Sequence, residues 1–301
     1  MSSGSRSPDP IAIRHHGGVD DYELIDAGGG ARLERVGAYV VERPHASADG
    51  ARRDLAAWSD ADLVFEPRAG WRTRDGGTPE PWPISTDGLA FELRPTETAQ
   101  LGFFPEHAAS WPWLRSQVAV RRPLAGEAAP SVLNLFAYTG AATLVLAGAG
   151  ASVGHVDSSR PAVAWGRRNA ELSALADRPI RWLVDDAAAF VERELRRGRQ
   201  YDGIVLDPPT YGHGGHGKGR AWRLESGLPT LLARCADLVE ERAGFVLLTA
   251  HTPGFGPDEL GAALADALGI GERVQSGRLR LTATSGATLD LGAFARWPGA
   301  R

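Results

Sequence analysis

One pentapeptide of the chain combines an acidic side chain, two prolines and an aromatic ring: Asp207-Pro208-Pro209-Thr210-Tyr211. The two prolines fix the backbone and remove two N–H donors, so the segment offers carbonyl oxygens and the Asp207 carboxylate as acceptors. Acceptors of this kind can hold the hydrogens of an amine while its lone pair faces an electrophile. Tyr211 adds a face on which a flat substrate can stack. The alternative is a rigid turn with a packed tyrosine.

A second candidate segment is Phe136-Ala137-Tyr138-Thr139-Gly140, which lies between an apolar run and a helix of small residues. The free N–H groups at the start of such a helix can hold a ligand carboxylate. Only Gly140 meets the small-residue requirement, so the segment is not a G-x-G-x-x-G dinucleotide fingerprint. An ordinary strand-to-helix turn is the alternative interpretation.

Acidic residues also end the next two expected strands. Asp157 comes about twenty residues after the first turn, where a carboxylate can accept both hydroxyl hydrogens of a ribose. Asp185 and Asp186 end the third strand, where a carboxylate can meet an adenine amino group. Their neighbours Ser158 and Ala187 are included in the same candidate site. Each acidic residue is also a possible helix cap. The loop 136–140 and the two acidic strand ends therefore support a ligand site more strongly together than any one of them does alone.

The elements that position these residues follow a regular alternation after Pro130. Strands are predicted at 131–136, 152–156, 180–184, 201–206 and 244–250, and helices at 141–147, 158–175, 187–197, 228–239 and 257–268. This order predicts a Rossmann-like, doubly wound and mostly parallel sheet, with an antiparallel C-terminal hairpin from 279–283 and 288–294. Ligands of such sheets bind beyond the carboxyl ends of the strands, which is where the candidate residues lie.

The region before this sheet reads as smaller and β-rich. Short strands are expected within 22–43 and at 88–94, with a weak helix near 54–63 and a helix from Pro105 to about Val118. We therefore predict three units: a disordered lead-in at 1–19, a small α+β domain at 20–125 and the Rossmann-like domain at 126–301.

Composition narrows the class of protein. The 301 residues are 43% hydrophobic, carry a formal charge of −4 and include one cysteine, Cys235. No apolar run is long enough to cross a bilayer, and the first residues lack a signal-peptide core, so a cytoplasmic protein is expected. A single cysteine excludes an internal disulfide and a cysteine-based metal cage. The charge argues against a long nucleic-acid duplex as partner but allows a few phosphate contacts.

The glycine-rich segment 212–218 spells G-x-x-x-x-G-K, as a phosphate-binding loop does. Its lysine is followed by Gly219 instead of serine or threonine, so no hydroxyl is available for magnesium. A mobile lid over the site is the preferred interpretation. His213 and His216 have no third ligand nearby, so no metal site is predicted.

Four segments together resemble a known family: VLNLFAYTGAATL, the GHVDSS after it, VDDAAAF and IVLDPPTYG. In order and spacing they resemble the cofactor-binding core of class I methyltransferases of the 23S ribosomal RNA large-subunit type. LGFFPEH, at 101–107, is similar to the segment that precedes this core, and the resemblance extends from about 100 to 256. It implies S-adenosyl-L-methionine as cofactor, with its methionine end at 136–140, its ribose at Asp157, its adenine at Asp186 and its methyl group facing Asp207.

The chain departs from this family after the fifth strand. Members that make 5-methylcytosine have a cysteine nucleophile there, whereas this chain reads Leu247-Leu248-Thr249-Ala250-His251. Direct transfer to nitrogen or oxygen is favoured, and we predict methylation of a nucleobase nitrogen in RNA, with ribosomal RNA as the suspected partner. The alternatives are a methyltransferase for a small metabolite or protein and a non-catalytic cofactor-binding homologue. The oligomeric state is not predicted.

Overall fold

The computed structural model describes residues 12–13, 21–77, 79–123, 128–212, 222–240, 244–270 and 273–298. Its largest sheet has eight strands in the order β1-β16-β17-β15-β12-β9-β10-β11. These strands are β1 (Ala12–Ile13), β9 (Ser131–Leu135), β10 (Ser152–Asp157), β11 (Ile180–Val184), β12 (Gly203–Leu206), β15 (Phe245–Ala250), β16 (Gln275–Thr282) and β17 (Thr288–Trp297). Strands β15, β12, β9, β10 and β11 are parallel, and β17 pairs antiparallel with β15 and β16.

Helices cover both faces of this sheet. They are α2 (Trp111–Arg121), α3 (Ala141–Gly148), α4 (Arg160–Leu172), α5 (Ala187–Arg196), α6 (Leu224–Leu238) and α7 (Pro257–Leu268). Apolar side chains of α2, α3 and α4 share one buried cluster with one face of the strands, and those of α5, α6 and α7 share a second cluster with the other face. The predicted doubly wound, mostly parallel sheet with an antiparallel C-terminal hairpin is confirmed.

Local sequence signals explain the starts of two helices next to the candidate site. The Ser159 hydroxyl accepts the Ala162 N–H at 3.3 Å at the start of α4, and the Asp186 carboxylate accepts the Ala189 N–H at 2.9 Å at the start of α5. The Asp186 cap was among the interpretations that the sequence allowed. Each cap satisfies one N–H group that the helix itself leaves without a partner.

The N-terminal region forms two smaller sheets. The first has five strands in chain order: β2 (Tyr22–Gly28), β3 (Ala31–Val36), β4 (Tyr39–Pro44), β5 (Leu63–Glu66) and β6 (Gly70–Thr73). The second is a hairpin of β7 (Trp82–Thr86) and β8 (Leu89–Leu93), and a short helix α1 (Leu55–Ser59) precedes β5. Leu24, Phe91 and Phe103 belong to the same buried cluster as α2 and α3, so this region packs directly onto the large sheet.

The segment from Pro105 differs from its prediction. A single helix to about Val118 was expected, but Pro105–Ser110 forms a 3-10 helix and α2 begins at Trp111. A second proline, Pro112, lies in the first turn of α2, where its missing N–H costs nothing. Two more short strands, β13 (Tyr211–Gly212) and β14 (Trp222–Arg223), pair antiparallel after the double proline.

The tip of the C-terminal hairpin contacts the first N-terminal strand. Thr284 and Ser285 donate their N–H groups to the carbonyls of Leu24 and Ile25, and the Ser285 hydroxyl donates to the Asp26 carboxylate at 2.6 Å. Asp26 is fully buried and also accepts the Trp58 indole N–H and the Arg53 and Asp54 backbone N–H groups. These donors hold the pKa of Asp26 well below its usual range even though burial alone raises it.

Several predictions concern residues outside the described part of the chain. The expected disordered lead-in at 1–19 lies there apart from 12–13, which adds a short parallel strand beside β16. The glycine-rich segment with His213, His216 and Lys218 also lies outside the described residues. Within the described residues, no helix has the length and apolar character needed to cross a membrane.

Candidate active site

The candidate residues follow adjacent strands of the large sheet. The pairing of β12, β9, β10 and β11 brings Asp207, Phe136, Asp157 and Asp185 to one edge, at the carboxyl ends of these strands. Strand order reverses between β9 and β12, because the chain adds β10 and β11 on one side of β9 and β12 and β15 on the other. This reversal is the position at which open α/β sheets bind their ligands.

The loop after β9 has a strained backbone. Phe136 has φ of 55° and Tyr138 has φ of 48°, values that bulky residues rarely adopt, and Gly140 follows with φ of 89°. Left-handed conformations at such residues cost about 1–3 kcal/mol each and cluster at ligand sites. The loop is held in place by two bonds: the Thr139 hydroxyl donates to the Gly102 carbonyl at 2.7 Å, and the Asn169 amide donates to the Thr139 carbonyl at 2.9 Å.

Asp157 contacts this loop directly. One carboxylate oxygen accepts the Tyr138 N–H at 2.8 Å, and the other accepts the Ser159 N–H at 2.8 Å. Burial raises the pKa of Asp157, and these two hydrogen bonds offset only part of that rise. Each carboxylate oxygen retains a second lone pair, so Asp157 can still accept two hydroxyl hydrogens. Ser158, between Asp157 and the cap residue Ser159, is exposed.

The third strand end has two acidic side chains with different partners. Asp185 accepts the Asp186 N–H and forms an ion pair with Arg193. Asp186 caps α5 through one carboxylate oxygen, and Ala187, the first residue of that helix, is buried. The cap interpretation therefore holds for Asp186, and its second oxygen is the one that a ligand can use.

Asp207 lies in a network that the sequence did not reveal. Its carboxylate accepts the Thr249 hydroxyl hydrogen at 2.6 Å, lies 3.3 Å from the Nε2 atom of His251 and lies 3.5 Å from the Nε2 atom of His107. Burial alone raises the pKa of Asp207, but the two imidazoles and the Thr249 hydroxyl hold it well below its usual range. Asp207 is therefore an ionised acceptor at neutral pH.

His251 is oriented from three sides. Its Nδ1–H donates to the Leu291 carbonyl at 2.6 Å, its Nε2 atom lies 3.2 Å from the Nε2 atom of His107, and Phe104 stacks on its ring. Burial lowers the pKa of His251, but the adjacent Asp207 carboxylate reverses this effect and raises it to about 9. Two weak signals point to these histidines: His107 ends the FFPEH segment, and His251 lies after the fifth strand, where the resembled 5-methylcytosine enzymes have a cysteine.

The residues after Asp207 differ in their exposure to solvent. Pro208 is buried, while Pro209 is exposed and its carbonyl accepts the Trp222 indole N–H at 2.8 Å. The Tyr211 ring is 69% exposed, so the alternative of a packed tyrosine is wrong. Trp222 lies with its ring 5.3 Å from that of Phe136 and joins the two loops.

A pocket connects the loop after β9 with Asp207. Its wall includes four of the loop residues, namely Phe136, Ala137, Tyr138 and Thr139. Asp207, Thr249 and His107 form another part of the wall, and Trp111 covers it from α2. Asp157, Asp185 and Asp186 lie further along the sheet edge, outside the residues that line this pocket.

A mostly parallel sheet with a strained loop and acidic strand ends is the arrangement expected of a class I methyltransferase. Residues 61–276 match the family model described as S-adenosylmethionine-dependent methyltransferase, and the chain belongs to this family. It is an enzyme whose cofactor is S-adenosyl-L-methionine. The crystal structure of the SAM-dependent methyltransferase from Agrobacterium tumefaciens is 35% identical with a TM-score of 0.86, and the match covers 99% of this chain and 97% of that one.

Two further comparisons add detail. A structure of the protein SMU.776 in complex with SAH has the same fold, with 15% identity and a TM-score of 0.70 over 93% of this chain and 76% of that one. The ribosomal RNA large subunit methyltransferase K/L of Methylococcus capsulatus is 33% identical over 132 residues, which are 44% of this chain. The match spans 18% of that relative's length.

Proposed function

We propose that this enzyme transfers the methyl group of S-adenosyl-L-methionine to a nitrogen of a nucleobase in ribosomal RNA, without a cysteine nucleophile. The observation that carries the proposal is the ionised Asp207 carboxylate, which is followed by two prolines and lines one pocket with the loop 136–139. A carboxylate that stays ionised can accept an amine hydrogen, which turns the nitrogen lone pair towards the methyl group.

The cofactor is assigned to the edge formed by β9, β10 and β11. Its methionine end contacts Phe136, Ala137, Tyr138, Thr139 and Gly140 in this proposal. Asp157 and Ser158 hold the ribose, and Asp185, Asp186 and Ala187 surround the adenine. The hydrogen bond from the Tyr138 N–H to Asp157 supports this assignment, because it couples the methionine loop to the ribose acceptor.

The acceptor is assigned to Asp207, Pro208, Pro209 and Tyr211. In the transfer, the nitrogen lone pair forms the new N–CH₃ bond, the S–CH₃ bond breaks, and its electron pair stays on sulfur as S-adenosylhomocysteine forms. The nitrogen then releases one proton. The low pKa makes Asp207 a poor base, whereas His107 lines the same pocket and offers an imidazole nitrogen.

A covalent cysteine mechanism has no support among the described residues. Cys235 is 1% exposed within α6, and burial raises the pKa of its thiol. Thiolate is the nucleophilic form, so this cysteine is unreactive. The positions after β15 are occupied by His251 and Thr252, and the Thr252 hydroxyl is hydrogen-bonded to that of Thr210 at 2.7 Å.

Ribosomal RNA as substrate rests on the Methylococcus capsulatus relative and on the exposed Tyr211 ring. A base must leave its stack before a methyl group reaches its nitrogen, and an exposed aromatic ring beside the acceptor can hold it. The Arg223 guanidinium, 5.6 Å from the Tyr211 ring, adds a positive charge where a phosphate would follow the base.

The test is transfer of label from radiolabelled cofactor to four fractions: ribosomal RNA, ribosomal subunits, total protein and a metabolite extract. The fractions come from a strain that lacks the gene, so that the target atom is unmodified. We expect one labelled nucleoside in ribosomal RNA, with the added mass on a base nitrogen. Label confined to protein or metabolites would replace the RNA assignment, and label in none of the fractions would favour a non-catalytic homologue.

A further inference from the structure

The side chains of His107, His251 and Asp207 lie close enough together to bind one metal ion. The two Nε2 atoms of His107 and His251 are 3.2 Å apart, and they lie 3.5 Å and 3.3 Å from the Asp207 carboxylate oxygens. Zinc binds nitrogen and oxygen ligands at about 2.0–2.1 Å, so two ligand atoms of a tetrahedral site lie about 3.3–3.4 Å apart. The two Nε2 atoms are separated by nearly this distance, and each faces one oxygen of the Asp207 carboxylate, Oδ2 for His107 and Oδ1 for His251.

The orientation of His251 fits the role of a ligand. Its Nδ1–H donates to the Leu291 carbonyl, and this bond directs Nε2 towards Asp207 and His107. Histidines that bind metals almost always donate their other ring N–H to a carbonyl or carboxylate, which fixes the tautomer and the ring plane. The Phe104 ring stacked on His251 restricts its rotation further.

Glu106 provides an independent observation. It is 3% exposed, and its Oε2 atom has no hydrogen-bond partner among the described residues. Glu106, His107 and His251 each offer a ligand atom within 4.8 Å of the others. The Glu106 Oε1 atom lies 3.9 Å from the Nδ1 atom of His251, whereas Oε2 has no donor in the described part of the chain, and a buried carboxylate oxygen without a donor favours a cation nearby.

We propose that His107, His251 and Asp207 bind a divalent transition-metal ion such as Zn²⁺, with Glu106 contributing negative charge behind them. Two imidazoles and a carboxylate favour Zn²⁺ and its neighbours in the first transition row over Mg²⁺, which prefers oxygen ligands. The fourth coordination position is open to the pocket that holds Asp207. This site differs from the pair His213 and His216 that the sequence brought into consideration.

The ion has a consequence for catalysis, and this part rests on the proposed function. An ion held between the Asp207 carboxylate and both adjacent imidazoles occupies the space beside Asp207 in which an acceptor amine would be oriented. The ion and the acceptor therefore exclude each other, and zinc inhibits methyl transfer by competing with the acceptor. Cofactor binding is unaffected, because Asp157 and the loop 136–140 take no part in the metal site.

Metal binding is measured first, on the full chain after treatment with a chelator. Calorimetry with Zn²⁺ and visible absorption with Co²⁺ are expected to show one ion per chain, with the intense absorption of a tetrahedral cobalt site. His107→Ala and His251→Ala should each lower the Zn²⁺ affinity on the order of 100-fold. His45→Ala is the matched control, since His45 lines a neighbouring polar pocket without offering a ligand, and it should bind as the wild type does.

S-adenosylhomocysteine affinity shows that each variant is folded. Equal Zn²⁺ affinity in the wild type and in both ligand variants would overturn the metal site, and so would loss of affinity in His45→Ala alone. Inhibition is then tested by adding equimolar Zn²⁺ to the labelling reaction and reversing it with chelator. If zinc binds without slowing methyl transfer, the metal site stands, and the proposal that Asp207 orients the acceptor is wrong.

Discussion

The two halves of the candidate site are built from the chain in different ways. The proposed cofactor half comes from one continuous stretch, 136–187, in which each strand leads directly into a residue that we assign to the cofactor. The acceptor half joins His107 from the 3-10 helix, Asp207 from the end of β12 and His251 from the end of β15. A site built locally depends on the backbone of its own loop, whereas a site built from distant segments depends on how those segments pack.

The largest difference between the halves is expected for Asp207→Ala. Methyl transfer at saturating cofactor should fall by about three powers of ten, because removing a group that orients and stabilises the reacting atoms costs about 4 kcal/mol in the barrier. S-adenosylhomocysteine affinity should stay near the wild-type value. Asp207→Asn keeps the shape and one acceptor oxygen, so its loss should be smaller. An equal loss of cofactor affinity would show that Asp207 belongs to the cofactor site as well as to the acceptor site.

The matching change in the cofactor half is Asp157→Ala. The Tyr138 N–H loses its acceptor, and the cofactor affinity should fall by about two powers of ten, or about 2.7 kcal/mol. Transfer should recover at saturating cofactor, which distinguishes this variant from Asp207→Ala. Asp177→Ala is the control, since Asp177 is an exposed aspartate in the turn before β11. Calorimetry with S-adenosylhomocysteine measures the difference, and a wild-type affinity would remove Asp157 from the cofactor site.

Tyr211 tests how far the acceptor half extends. Tyr211→Ala should raise the KM for the acceptor by roughly one to two powers of ten, because stacking of a base on an aromatic ring is worth about 1–3 kcal/mol. Tyr211→Phe keeps the ring and should change KM little. Steady-state kinetics with the labelled acceptor separates the two variants. Equal kinetics in both would place the acceptor elsewhere on the surface.

The smallest effect is expected for Cys235→Ala. Methyl transfer should remain within about twofold of wild type. The free energy of unfolding should fall by about 1 kcal/mol, because the substitution removes the buried sulfur atom from its packing within the protein. Activity and denaturant unfolding provide the two measurements. A protein–RNA adduct trapped through Cys235 would contradict the direct transfer of the methyl group.

Patterns within one element predicted most of the large sheet. The alternation of apolar runs with capped helices identified β9 to β11 and α3 to α5 to within a few residues, because strand period and helix caps are local properties. The short strands β1, β5, β6, β7, β13 and β14 were missed. All but β7 have two to four residues, which carry no period, and β7 contains Pro83, which is atypical of a strand. The division into units at 20–125 and 126–301 stays a prediction.

The acceptor half was predicted only in part for the same physical reason. Asp207 was identified because two prolines follow it directly, which is a local signal. His107 and His251 are separated by 144 positions, and nothing in either local sequence indicates that their Nε2 atoms lie 3.2 Å apart. The strained φ angles of Phe136 and Tyr138 also had no signal, because their residue types oppose the conformation that the loop adopts.

The contact between Ser285 and Asp26 constrains the order in which the protein can mature on the ribosome. Domains generally fold from the N-terminus while synthesis continues. The buried Asp26 carboxylate, however, receives one of its donors from a residue 259 positions later. The first sheet can therefore form early but cannot reach its final stability until residue 285 has left the exit tunnel. Until that moment the sheet has all of its strands, but the Asp26 carboxylate lacks the Ser285 hydroxyl among its donors.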